Sequence, residues 1–266
     1  MLFLVYTYSM ATDEIHNFFA ETLTGDYEDD APWQAVRALR SVGSREVFDY
    51  AAEWCNSEDA LKRSRGLDVL AQLGKTADHP SNSFPEEAYS IVVGCLERKE
   101  DVRTLSSGIS ALGHLNNPLA IPLIAQYCTH ASGEVRFSVA FALGEFPNDR
   151  RSVEGLLLLM DDTNEDVRDW ATFAMGTLSD SDSPRIREVL FRRLADTNVD
   201  VHEEAMAGLC KRRDERVLPI LIRTLENPPV SKCVIEACCE MLNLQTEPDD
   251  WTVNDYVTVL HERFVA

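Results

Sequence analysis

Apolar residues recur along this chain at helical spacing, and the pattern returns with a longer period. Val167, Ala171, Ala174, Met175 and Leu178 stand at i, i+4, i+7, i+8 and i+11, which places them on one face of a helix. The same frame reads Val135, Val139, Ala142, Leu143 and Phe146 one copy earlier, and Val201, Ala205, Gly208 and Leu209 one copy later. Upstream of the 167–178 stretch, Arg151 to Met160 forms a strongly apolar first helix. The polar run Asp161-Asp162-Thr163-Asn164 makes a turn, and the second helix begins near Asp166, where an acid suits the free N–H groups of a helix start. Prolines and Asn, Ser and Asp clusters punctuate the joints, as in Pro147-Asn148-Asp149 and Asn227-Pro228-Pro229, and no alternating run of strand type stands out.

A short mark fixes the period. Ser41-Val42-Gly43 returns as Gln72-Leu73-Gly74, Ala111-Leu112-Gly113, Ala142-Leu143-Gly144, Ala174-Met175-Gly176, Gly208-Leu209-Cys210 and Met241-Leu242-Asn243, at steps of 31, 39, 31, 32, 34 and 33 residues. Helix pairs repeated at that interval are the pattern of a solenoid, in which each repeat packs on its neighbours. The long step of 39 holds the polar stretch Lys75 to Pro85, expected as a looped insertion. Such a loop either contacts a partner or is neutral added length, and loops tolerate length cheaply.

The block Asp166-Val167-Arg168-Asp169-Trp170-Ala171-Thr172-Phe173-Ala174-Met175-Gly176, with Asp196-Thr197-Asn198-Val199-Asp200-Val201 and Arg213-Asp214-Glu215-Arg216-Val217-Leu218-Pro219, resembles bacterial HEAT-repeat proteins, of the short type first described in phycobilin lyase subunits. The resemblance spans roughly residues 33 to 245 and implies an all-α, right-handed α-solenoid (superhelix) of about six to seven HEAT-like helix pairs. The expected division is an N-terminal extension and acidic capping segment over 1–32, then the solenoid over 33–266. The resemblance leaves function open between protein-binding modules and enzymes built on the same repeats. It admits an immunity or antitoxin-like inhibitor, because some similar bacterial proteins lie beside toxin genes, and a bilin-lyase-like subunit as the alternative. The related hydroxylases carry repeated His-Glu pairs for iron; this chain has one, His202-Glu203.

Charge narrows the partner. Asp and Glu number 45 against 25 Lys and Arg, a net charge of −20, so nucleic acid, which is held chiefly by Lys and Arg, is excluded and a basic protein is favoured. Part of the acid is structural: Glu100, Asp101, Glu134, Glu165, Asp166 and Asp200 fall at second-helix starts. The six-apart pairs Glu97 with Arg103, Asp162 with Arg168 and Asp196 with His202 suit a ladder between repeats. Seven cysteines without a Cys-x-x-Cys pair read as small buried side chains in a reducing cytoplasm. Met1 to Tyr8 is apolar but lacks a basic lead and is too short to span a bilayer, so no membrane association is expected.

Neither a phosphate loop nor a catalytic constellation emerges, and no metal, cofactor or catalytic residue is assigned. The candidate site is instead a surface. With the core direction set by Val167, Ala171, Ala174 and Leu178, residues Asp169, Thr172, Phe173 and Gly176 point the opposite way, and Trp170 lies on the flank. Matching positions hold Phe137 and Phe141 in the preceding copy and Glu203 in the next. Aromatic anchors beside acids, Phe137, Phe141, Asp169, Trp170, Thr172, Phe173 and Glu203, are the expected partner-binding residues of the concave face.

Overall fold

The computed structural model describes residues 11–25, 29–98 and 101–264. Among these the chain is helical throughout, with no strand, and the residues divide into two compact units, 1–145 and 146–266. Met1 to Tyr8, most of the acidic stretch at 26–30 and Glu100 lie outside the described residues.

The first unit holds four helix pairs: α1 (Thr12–Glu21) with α2 (Asp30–Val42), α3 (Arg45–Trp54) with α4 (Ala60–Ala71), α5 (Pro85–Leu96) with α6 (Val102–Leu115), and α7 (Ile121–Ala125), led in by a 3-10 turn, with α8 (Gly133–Gly144). Second helices pack on second helices, α2 on α4, α4 on α6 and α6 on α8. Part of the expected capping segment is thus a first helix in its own right: α1 packs on α2, buries Ile15 and Phe19, and sets the Phe19 ring against Tyr50 and Trp54. The long step between copies is the stretch after α4, although Pro85 opens α5 rather than closing the loop. The loop is tied down, because the buried Asn82 amide donates to Leu70 O at 2.7 Å and Gly74 N donates to Arg40 O at 2.7 Å.

The second unit continues with α9 (Arg150–Leu159) and α10 (Glu165–Phe173), α11 (Pro184–Arg193) and α12 (Val199–Lys211), α13 (Leu218–Leu225) and α14 (Lys232–Leu242), and a closing helix α15 (Val253–Phe264). Second-helix starts are capped by side chains: Asn164 accepts from Asp166 N and Val167 N, Asn198 from Asp200 N and Val201 N. The acids expected there stand one step inside, in the first turn, where the helix dipole favours them. Gly208 lets α12 meet the end of α10, since a Cβ there would stand 2.7 Å from Gly176 Cα.

The mark at the repeat joint does two jobs. Gly43, at φ 62, and Asn243, at φ 59, end their helices in the left-handed conformation that caps a C-terminus, whereas Gly113 and Gly176 are places where the next helix comes close. Three expectations about α10 change. Val167, Ala171, Ala174 and Met175 are buried, but Leu178 is 40% exposed. The last turn, Ala174–Leu178, is a π-helix with Ser179 N bonded back to Ala174 O, and the extra residue per turn swings Leu178 out and Ser179 in. Thr172 and Gly176, expected on the open face, are buried: neighbouring helices cover both flanks of α10 and leave a narrow free stripe. Thr172 Oγ1 donates to Arg168 O at 2.7 Å, and the Glu204 carbonyl crowds Gly176.

The ladder is real but runs differently from the six-apart pairing. Arg168 donates to Asp162 O and Thr163 O at the turn before its own helix, and bidentately to the Asp196 carboxylate of the following repeat at 2.9 and 3.0 Å. Arg63 likewise donates to Ser57 O and Glu58 O and, through Nη2 at 2.9 Å, to Asp101 of the following repeat, and Arg136 clasps His130 O and Ala131 O. His202, at the equivalent position, bonds Leu194 O through Nδ1 at 2.7 Å.

Candidate partner-binding faces

The expected site residues fall in both units. In the second, Asp169, Trp170 and Phe173 share the free stripe of α10: all three are half-buried, and the Trp170 and Phe173 ring centroids are 5.7 Å apart. Thr172 is behind them, fully covered, and supports the helix rather than the surface. Next to this stripe α12 presents Asp200, Glu203 and Glu204. Burial pushes the Asp169 carboxyl up and Asp200 and Asp166 add to it; burial likewise raises Glu204, with Asp169, Asp200 and Glu203 contributing against the Thr177 hydroxyl that donates to it at 2.6 Å. Glu203 accepts from Ser231 Oγ at 2.6 Å on the following repeat, which orients its carboxylate without neutralising it. The field reaches Cys233 on α14, whose thiol is pushed to about 12 by burial and then by Glu204 and Glu203. Carboxylates that raise one another's pKa are short of counter-charge, and the sequence had offered Asp200 only as a helix-start acid and had left Glu204 unread.

In the first unit Phe137, 38% exposed, and the half-buried Phe141 line a cavity of about 540 Å³ together with residues of α2, α4 and α6. Its charged lining is Arg40, Arg103, Asp68 and Glu134, so this face is not the acidic rim expected around the phenylalanines. Arg40 is fixed by donating Nε and Nη2 to Asp68 O at 2.9 and 2.6 Å. Behind it lies a buried ion pair, Arg65 with Asp68 at 3.4 Å, with the Arg65 guanidinium over the Trp33 ring at 4.8 Å. Burial drives the Asp68 carboxyl up while Arg40 and Arg65 oppose it. His114, edge-on to Phe141 at 4.8 Å, is depressed to about 4 by burial and then by Arg40 and Lys75. None of these polar groups was singled out from the sequence. The signal was present in Arg65 and Asp68, a charged pair three apart inside a helix otherwise reading Leu67, Val69, Leu70, Ala71.

The remaining chemistry is structural. Cys55, Cys95, Cys128, Cys210 and Cys238 are buried and Cys233 and Cys239 partly so, all as free thiols, and burial raises the pKa of Cys55, Cys128, Cys210 and Cys238, which keeps them from thiolate chemistry. Among the described residues no group of three His, Cys, Asp or Glu is placed to hold a metal ion, and no helix is long and apolar enough to cross a membrane.

Stacked helix pairs joined by a repeating arginine clasp define an all-α solenoid of the armadillo and HEAT class. The chain belongs to the HEAT-repeat family: the pattern of HEAT repeats matches residues 90–176 and 153–243, more than half of its length. It is 30% identical over 214 residues to protein YibA of Escherichia coli strain K12, covering 78% of this chain and 74% of that one. The crystal structure of the E. coli YibA protein superposes with a TM-score of 0.71 at 23% identity, over 96% of this chain and 93% of the other. An uncharacterized phycocyanin operon protein Z of Pseudanabaena tenuis is 26% identical over 155 residues, 57% of this chain and 75% of its own. These likenesses give a HEAT-repeat scaffold.

Proposed function

We propose that this protein is a non-catalytic scaffold that binds a basic partner protein through the second-helix face of its second unit. The observation that carries the reading is the cluster of Asp169, Asp200, Glu203 and Glu204, in which burial and then neighbouring acids raise Asp169 and Glu204, with the Trp170–Phe173 pair as apolar anchor. Bringing Lys or Arg side chains of a partner against these carboxylates relieves their repulsion, and the rings supply area to bury. An immunity or antitoxin-like inhibitor of a basic protein is the concrete form of this role, in the reducing cytoplasm that suits seven free cysteines. The bilin-lyase-like alternative has the phycocyanin-operon relative in its favour but no corresponding feature on this face.

The test uses a fluorescein-labelled peptide alternating Lys and Arg, and its alternating Glu and Asp counterpart, with anisotropy measured at low and physiological salt. The basic peptide binds, more weakly as salt rises, and Asp169→Arg or Glu203→Arg weakens it about tenfold or more with an unchanged melting temperature. Phe173→Ala costs binding about 2 kcal/mol if the ring is an anchor. Equal binding of the two peptides, or insensitivity to both charge reversals, removes the reading.

A further inference from the structure

The cavity of the first unit has a different character from the acidic face of the second. We propose that it is a small-molecule site for a flat apolar body bearing an oxyanion, with the rings of Trp33, Phe137 and Phe141 against the body and Arg40, Arg103 and Ser106 toward the anion.

Size is the first support: about 540 Å³ falls within the range of pockets that enclose small ligands. The lining is the second. Three aromatic rings and Ala71 and Ala111 form apolar walls, and the polar residues that interrupt them include donors: two guanidinium groups and the hydroxyls of Ser106, Ser110 and Ser138. Ser106 is 8% exposed, and its Oγ finds no hydrogen-bond partner among the described residues. A buried hydroxyl without a partner is unfavourable, and an acceptor oxygen of a ligand removes that cost.

Charge is the third support, and it runs against the composition of the chain. Asp68 faces both Arg65 and Arg40, one carboxylate against two guanidinium groups, and Arg40 is also held in place by the Asp68 main-chain carbonyl. Lys75 stands close by, its Nζ donating to His114 O, and burial lowers its pKa while Glu145 opposes this. Burial is the main cause of the depressed His114, and Arg40 and Lys75 lower it further. Glu134 is the acid on the lining that is open to solvent, where water and salt screen it. Arg40 is pre-positioned by the protein before any ligand arrives, which lowers the ordering cost of binding.

The site and the partner face of the second unit are independent, so either can fail alone. The experiment titrates the full chain with 8-anilinonaphthalene-1-sulfonate, whose sulfonate stands for the oxyanion, and with N-phenyl-1-naphthylamine, which has the same rings and no charge. Expected is one saturable site, with the anionic dye about tenfold tighter. Arg103→Gln and Arg40→Lys each weaken the anionic dye severalfold and leave the neutral one alone. Phe141→Ala weakens both, and Phe173→Ala weakens neither. Arg103 is exposed, so its variant stays informative even if Arg40→Lys loosens α2 from α4. In the anionic complex the His114 resonances titrate at higher pH than in the free protein. No saturable binding, equal affinity for the two dyes, or an anionic affinity untouched by both arginine variants at unchanged circular dichroism overturns the assignment.

Discussion

Replacing Arg212 by Leu tests what holds the second unit together. Arg212 follows α12, is 8% exposed, and its guanidinium reaches four main-chain carbonyls: Gly208 O at 2.9 Å, Met175 O at 2.8 Å, Ser179 O at 3.1 Å and Ser181 O at 2.7 Å. Met175 lies in the π-helical turn and Ser179 and Ser181 just beyond it, where a wide turn leaves carbonyls out of the ordinary ladder; one cation gathers them. Leucine keeps the apolar stem and removes every donor. Each buried acceptor left unsatisfied costs about 1–3 kcal/mol, and three of the four bonds are fully buried, so the loss is about 3–9 kcal/mol before the recovered desolvation of the guanidinium is subtracted. A net of about 4 kcal/mol is the working figure. Spread over an unfolding entropy of about 2.1 cal/mol/K per residue, this lowers Tm by about 7 °C if all 266 residues melt together. It lowers Tm by about 16 °C if the 146–266 unit melts alone. Differential scanning calorimetry reads both the size and the number of transitions, and Arg212→Lys, which restores charge but one donor head, falls between. A Tm within about 2 °C of the parent would mean that the carbonyls find other partners and that the clasp is ornamental.

Two further perturbations probe other parts of the fold. His114 titrates near 4 in the folded chain against about 6.5 when exposed, so between those values the unfolded state binds the extra proton. Stability therefore falls on acidification through that window, by about 3 kcal/mol at the bottom, and urea melts of His114→Gln show a shallower fall by that amount; parallel curves would refute it. Gly208→Ala drives a methyl into Gly176 Cα and costs about 1–3 kcal/mol, whereas Gly94→Ala, with open space around it in α5, gains about 0.5–1 kcal/mol. Denaturant midpoints that move the same way for both would show that the close approach of α12 does not govern the site.

The repeat period and the buried positions of second helices were legible because burial in a stack is dictated by local periodicity, which Val135, Val167 and Val201 each display. What failed did so where one residue depends on a neighbour in space. Leu178 obeys the 100° rule until the π turn intervenes, and Arg212, which bonds carbonyls in and just beyond that turn, is thirty-odd residues away. Thr172 and Gly176 were misplaced because a helix wheel assumes one buried side, whereas α10 packs against both α9 and α12. The polar lining around Phe137 and Phe141 escaped notice because Arg40, Asp68 and His114 come from three successive repeats, and no spacing rule links them. The acids Asp169 and Glu203 were visible as charges; that they and Glu204 lack counter-ions is a property of packing.

The arginine clasp gives the chain a direction. Arg63 reaches forward to Asp101 and Arg168 forward to Asp196, so each of these two clasps takes its carboxylate from the repeat that follows. Remove repeats from the C-terminal end and the newly exposed arginine loses its carboxylate; remove them from the N-terminal end and the clasps that remain keep theirs. At these two joints fraying should therefore travel backwards along the chain like buttons undone from the hem, while growth on a ribosome leaves Arg63 and Arg168 unfastened until the next repeat has emerged.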